Sequence, residues 1–336
     1  MRIYKNLQKS EWATLCRRPK LRTKALDELV NEVFENIKTS GDSQLKAYTR
    51  QFDKVDLNEI VVNAEEWQSG IEKVPEVLKT AISRAKRNIE IFHKAQQSPG
   101  FSVETEAGVN CWQESRPIEK VGIYIPGGTA PLFSTVLMLA IPAKIAGCED
   151  VVLCTPPDAQ GHIAPAILYA ARLTGVNKII KAGGIQAIAA LTCGTESVPK
   201  VYKIFGPGNQ YVTAAKQKAQ TEGVAIDLPA GPSELLVFAD ATANPAFVAS
   251  DLLSQAEHGV DSQVVCVSDS LEFLKAVNDE TEKQIMLLPR KDIARESLKN
   301  ARFLFSANKE ETIGFINEYA PEHLIIAAKE EDFYLS

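Results

Sequence analysis

Several features are missing from this 336-residue sequence, and each absence removes a class of protein. No apolar run approaches the roughly 18–20 residues of a membrane span. The opening "MRIYKNLQKSEW" lacks the apolar centre of a secretory leader. No block of like charge occurs, and the net charge is −6, which argues against a nucleic-acid surface. The six cysteines (Cys16, Cys111, Cys148, Cys154, Cys193 and Cys266) form no C-x-x-C pair. Several sit in apolar strand or helix patterns, which predicts buried reduced thiols and a cytoplasmic compartment. The dinucleotide fingerprint G-x-G-x-x-G is absent, so a standard phosphate loop is not expected. Histidine is scarce, with four in the chain.

What is present is globular: 45% hydrophobic and 24% charged residues, enough for a large core and more than one domain. Residues 1–120 read as mainly helical. "TKALDELVNEVFENIKTSGD" places Leu26, Leu29, Val30, Val33, Phe34 and Ile37 on one stripe and is expected to stop at Gly41. "VLKTAISRAKRNIEIFHKAQ" is a second amphipathic helix, and "FSVETEAGVNCWQESRPI" reads as a hairpin. After residue 120, short apolar runs alternate with helical patterns. "VGIYIPGG", "DVVLCTP", "KIIKAGG" and "YKIFGPGN" form one series; "ELLVFAD", "SQVVCVSD", "ARFLFSA" and "HLIIAA" form another. Two doubly wound parallel sheets follow, with a boundary near "DLPAGPSE" at 227–234.

Parallel sheets bind ligands beyond the carboxyl ends of their strands. Gly127-Gly128, Gly183-Gly184 and "GPGN" (206–209) each follow a strand and precede a helical pattern. Free N–H groups there would favour an anion such as phosphate, although ordinary tight turns have the same look.

His93 and His162 read as surface residues, whereas His258 and His323 each follow a glutamate. "NPAFVASDLLSQAEHG" has Asn244 as N-cap, Pro245 at the first helical position and Gly259 as the stop, with Asp251, Gln255 and His258 along one face. Gln255 and His258 are metal-ligand candidates or a helix-end hydrogen-bonded pair. His323, beside Glu322, is a candidate general base or a plain ionisable pair at a sheet edge. The turn "PAGPSE" (229–234) presents Ser233 and Glu234 to a ligand or serves as an inter-domain elbow. Cys154 and Cys193 lack a neighbouring histidine and read as buried thiols.

Taken together, "VGIYIPGGTAPLFSTVLMLAIPAKIAGC", "GGIQAIAALTCGTESVPKV", "KIFGPGNQYVTAAK", "AIDLPAGPSELLVFAD", "VASDLLSQAEHGVDSQV" and "YAPEHLI" closely resemble the histidinol dehydrogenase family. The resemblance implies oxidation of L-histidinol to L-histidine through L-histidinal, with two NAD in turn, zinc, and a homodimer. It implies an α/β fold of two incomplete Rossmann-like, doubly wound parallel-sheet domains, one inserted into the other, with a helical N-terminal region. The expected domains are an arm at 1–20, a discontinuous domain of 21–120 plus 234–336, and an inserted domain at 121–233. By the same resemblance Tyr124, Gln186 and Asn209 are NAD contacts and Ser233 is a substrate contact. Gln255 and His258 are zinc ligands that also hold substrate. Glu322 and His323 are the acid–base pair, and His323 also touches substrate. The family's remaining zinc ligands, an Asp and a His, and its dimer-forming domain lie further toward the C-terminus. This sequence ends at "KEEDFYLS", so half of a zinc site is expected, in a chain that either turns over or only binds NAD or histidinol. A different NAD-dependent oxidoreductase with a cysteine nucleophile is the remaining alternative.

Overall fold

In a computed structural model, residues 1–5, 9–18, 24–127, 131–228 and 233–335 are described. The described strands are β1 (Ile3–Lys5), β2 (Phe101–Glu106), β3 (Val109–Gln113), β4 (Lys120–Tyr124), β5 (Asp150–Thr155), β6 (Lys178–Lys181), β7 (Lys203–Phe205), β8 (Ala225–Ile226), β9 (Glu234–Ala239), β10 (Gln263–Ser268), β11 (Arg302–Phe305) and β12 (His323–Ala327). The described α-helices are α1 (Lys9–Leu15), α2 (Lys24–Tyr48), α3 (Ala64–Glu72), α4 (Glu76–Ala95), α5 (Phe133–Ala146), α6 (Pro165–Thr174), α7 (Gly184–Cys193), α8 (Gln210–Thr221), α9 (Pro245–Ala256), α10 (Leu271–Gln284), α11 (Lys291–Leu298), α12 (Lys309–Tyr319) and α13 (Glu331–Leu335).

They form two compact units. The first is Met1–Leu21 with Gly231–Ser336, and the second, Arg22–Ala230, is inserted between its parts. Each unit holds one five-stranded sheet in which every pairing is parallel: β1-β11-β10-β9-β12 in the first and β6-β5-β4-β7-β8 in the second. The central strands explain this. β9 and β10 are buried along their whole length, and β5 is buried after its first residue. Continuous apolar runs of this kind suit strands covered on both faces rather than one. Both sheets reverse strand order, between β4 and β7 in the second unit and between β9 and β12 in the first, which is the doubly wound arrangement.

Three expectations change. Residues 21–120 group with the 121–230 sheet, not with 234–336. The stripe of α2 explains why. Val33, Phe34 and Ile37 are almost wholly buried and belong to one core with Ile185, Ile188 and Val212 of α7 and α8. Each such side chain contributes roughly 1.5–3 kcal/mol on burial. α4 and α3 cover the other face, where Ile82 and Val62 join Val136 and Leu137. The backbone also ties in, with Val62 N–H donating to the Ile179 carbonyl at 3.0 Å. Within the expected 1–20 arm, β1 is an edge strand of the first unit's sheet, because it pairs with β11. Finally, Gly41 does not end α2. It kinks the helix at φ 51° and ψ −132°, and the chain resumes helical turns to Tyr48. The hairpin is present as β2–β3, antiparallel and exposed.

Candidate active site

In the second unit the strand order reverses beside Tyr124, the last residue of β4. A cavity of about 640 Å³ opens there, a size suited to a small-molecule ligand. Tyr124 at the end of β4, Gln186 in α7 and Asn209 at the start of α8 line it together with Phe52, Asp53 and Tyr211. The buried Tyr124 hydroxyl accepts the Gly184 N–H at 3.0 Å. Burial pushes that hydroxyl up to about 12, against the lowering effect of the Gly184 bond. Gln186, in the first turn of α7, is 1% exposed. Its Nε2 donates to Asp53 Oδ2 at 3.1 Å, while its Oε1 has no partner. Burial pushes the Asp53 carboxyl above its usual range, and hydrogen bonds from Gly183 N–H and Gln186 oppose this. Asn209 is exposed and caps α8, accepting from Tyr211 N–H at 3.1 Å and Val212 N–H at 3.2 Å.

Two glycines are required by close approach. A Cβ on Gly206, at φ 138°, would lie 2.2 Å from the Tyr124 carbonyl oxygen. One on Gly183 would lie 2.8 Å from Pro156 Cβ. The expectation of free anion-binding N–H groups at these turns is corrected, however. At Gly183, Gly184 and Gly206 the N–H groups are already taken by Asp53, Tyr124 and Asp227. Gly128 lies outside the described residues, as do residues 229–232 of "PAGPSE".

The remaining candidates gather in the first unit, at the amino edge of its sheet. Ser233 precedes β9 and Glu322 precedes β12; the two strands pair in parallel with His323 opposite Leu235. Gln263 stands opposite Glu234 and donates its N–H to the Ser233 carbonyl at 3.0 Å. The turn leading from α9 into β10 therefore ends at the same edge. Gln255 lies in the last turn of α9, 7% exposed, with its Nε2 buried and unpartnered. His258 is exposed beyond the helix end, its N–H donating to the Gln255 carbonyl at 3.2 Å. This corrects the expected single helical face through Asp251, Gln255 and His258, because α9 stops at Ala256.

A charged network holds this edge. Arg18 donates from Nε and Nη2 to the two carboxylate oxygens of Glu234 at 2.7 and 2.9 Å. Its guanidinium lies 4.4 Å from the Tyr319 ring centroid, and it also donates to the Tyr319 carbonyl. The Glu234 N–H donates to Glu322 Oε2 at 3.1 Å. His323 Nε2 stands 3.9 Å from Glu322 Oε1, an ion-pair separation too long for a hydrogen bond. At the carboxyl edge of the same strands, the Tyr334 ring packs on Phe238 with centroids 4.3 Å apart, and Lys329 N–H donates to Asp240 Oδ2 at 2.8 Å.

Comparison with known proteins identifies the frame. The profile of the family described as histidinol dehydrogenase matches residues 16–336. The chain belongs to the histidinol dehydrogenase family. It is 56% identical to the histidinol dehydrogenase of Bacteroides thetaiotaomicron, over 97% of this chain and 76% of that one. It is 50% identical to that of Escherichia coli K12, over 91% and 70%. The crystal structure of histidinol dehydrogenase from Elizabethkingia anophelis superposes with a TM-score of 0.95 at 54% identity, covering 99% of this chain and 77% of that one.

Family membership makes a metal the natural question for Gln255 and His258. The donor set is short. Zinc is held by three or four protein groups, and among the described residues no cluster of three or more His, Cys, Asp or Glu is placed to hold a metal. Two donors do not fit a zinc centre by themselves. The cysteine alternative fares no better: Cys154 is wholly buried, and burial pushes both its thiol and that of Cys193 up, the opposite of a nucleophile. Among the described residues no helix is long and apolar enough to cross a membrane. Sequence reasoning missed Asp53, Phe52 and Arg18, which carry no motif. Asp53 and Arg18 take their roles from partners more than a hundred residues away, at separations of 133 for Asp53–Gln186 and 216 for Arg18–Glu234.

Proposed function

We propose that the protein oxidises L-histidinol through L-histidinal to L-histidine with NAD, in the cytoplasm and as a homodimer. The observation that carries the reading is the convergence of Tyr124, Gln186 and Asn209 on one cavity at a strand-order reversal, in a member of this family. NAD bound there supplies the hydride acceptor. His323 takes the proton of the substrate hydroxyl as hydride leaves the carbinol carbon, a role imidazole fills near neutral pH. Its exposed position at the start of β12 leaves it open to substrate. In the second oxidation Glu322 takes a proton from the water that adds to the aldehyde, and His323 takes the hydroxyl proton of the hydrate. The Glu234 N–H holds one oxygen of Glu322 and so fixes the carboxylate's orientation. Ser233, Gln255 and His258, on the same edge, are the polar groups that orient the substrate. Gln255 and His258 are also the zinc donors the resemblance implies. Because they are two, no step is routed through a metal.

The test is NADH formation by the purified protein given L-histidinol and NAD, with and without added zinc, beside a His323→Ala control. Turnover lost in the control supports the reading. A second reading is binding of NAD or histidinol without turnover. NAD binding without NADH formation selects it.

A further inference from the structure

The cavity beside Tyr124 differs from an ordinary dinucleotide site in one respect: several of the N–H groups that would meet a phosphate, among them those of Gly184 and Gly206, are already used. Gly183 caps α7 without a side-chain bond of its own, so the helix start should offer free N–H groups to an anion. Instead the Asp53 carboxylate accepts the Gly183 N–H, and the Tyr124 hydroxyl accepts that of Gly184. At α8 the Asn209 side chain occupies the N–H groups of Tyr211 and Val212. Upstream, the Gly206 N–H donates to Asp227 Oδ2 at 2.7 Å. Asp227 is in turn fixed by Lys216, which is 2% exposed and donates also to the Gly206 carbonyl at 2.8 Å. Lys216 is therefore committed within the loop.

The charge balance points the same way. Among the described lining residues there is no Lys, Arg or His, and the one formal charge is that of Asp53. What the pocket does offer is acceptors. Gln186 gives its Nε2 to Asp53, so its amide oxygen is turned away from the carboxylate and left buried without a partner. A phosphate is an acceptor and gains nothing from either group. Ribose hydroxyls and the amide or amine of a base are donors and suit both. The Phe52, Tyr124 and Tyr211 rings give the base apolar walls.

We propose that Asp53 is a specificity-determining residue that makes this pocket take the nucleoside parts of the dinucleotide and turn its phosphates away. The proposal rests on the reading that NAD binds here. It identifies which chemical part of NAD carries the affinity, and it makes the Asp53 charge the cause.

The test uses the full chain. NAD is first titrated directly. Adenosine and nicotinamide riboside, each beside its 5′-monophosphate, are then competed against it for the wild type and for Asp53→Asn, whose fold is checked by melting. In the wild type each nucleoside should compete within about threefold of its monophosphate. In Asp53→Asn the monophosphates should gain about tenfold on the nucleosides, because a like charge has gone. Wild-type monophosphates binding more than about tenfold tighter than nucleosides would overturn the proposal while leaving the NAD reading intact. So would an unchanged ratio in folded Asp53→Asn, or NAD binding that no nucleoside competes. Absence of NAD binding in the first titration sinks the reading of the pocket, and the proposal with it. The wild-type comparison needs no variant and stands even where Asp53→Asn misfolds.

Discussion

Glu322 Oε2 accepts the backbone N–H of Glu234 at 3.1 Å, and this bond joins the amino ends of β12 and β9. The Glu234 side chain meanwhile carries the forked Arg18 contact, so the carboxylate proposed to activate water is held by a residue that is itself clamped from the N-terminal segment.

Arg18→Gln should therefore destabilise the fold. Glu234 has a side-chain exposure of 10% and would keep its charge without its cation. Losing one partner of such a pair costs about 2–3 kcal/mol, discounted because Arg18 is itself partly exposed. Arg18→Lys should recover part of the loss, since it restores charge but not the fork. Urea denaturation midpoints check both, and an unchanged midpoint in Arg18→Gln would show that the fork contributes little.

The proposed acid–base pair behaves differently. The Glu322 and His323 side chains are 55% and 58% exposed. Glu322→Gln and His323→Asn should leave stability within about 0.5 kcal/mol. NADH formation from L-histidinol should fall by about 10²-fold or more in His323→Asn. Glu322→Gln should impair the second oxidation more than the first, so that aldehyde accumulates; product analysis by chromatography reads this split. Equal loss of both steps would assign Glu322 another role.

The close approach at Gly183 gives a packing prediction. The methyl of Gly183→Ala would meet Pro156 Cβ at 2.8 Å and Asp53 Oδ1 at 3.0 Å. Overpacking of this kind costs about 1–3 kcal/mol. Because the displaced atoms line the cavity, NAD affinity should drop by about tenfold. Melting and NAD titration measure the two effects, and tight NAD binding in the variant would place the ligand elsewhere.

A pH dependence follows from Asp240. Burial raises its carboxyl, but hydrogen bonds from the Thr242 hydroxyl and from the N–H groups of Lys329, Thr242 and Ala243 outweigh it, leaving it below the usual 3.8. A carboxyl lowered by folding stabilises the native state above its unfolded value. That contribution is lost as the pH falls through the folded value. Asp240→Asn should lower stability at neutral pH and flatten the loss below the usual carboxylate range, as read from denaturant midpoints against pH. An unaltered acid limb would remove Asp240 from the account.

By itself the sequence determined the strands other than β1 and β8, most helices and the family. Apolar runs such as those of β5 and β9 read as strands because burial on both faces leaves no room for polar alternation, and Asn244-Pro245 marks the start of α9 through a local cap. The points at which it was silent or misleading depend on distant partners. The stripe on α2 announces that one face is buried, but nothing within it says that α7 and the second unit's sheet do the burying. The turns at Gly183 and Gly206 look like open anion sites because their occupants, Asp53 and Asp227, are recognisable only once the chain has folded back on them. The tertiary structure alone decided that the Glu234 N–H ties Glu322 to β9 and that Asp53 and Gln186 share a hydrogen bond. The physical reason is that periodicity and capping are local, whereas the occupant of each N–H and the cover of each apolar face are fixed by contacts between residues far apart in the chain.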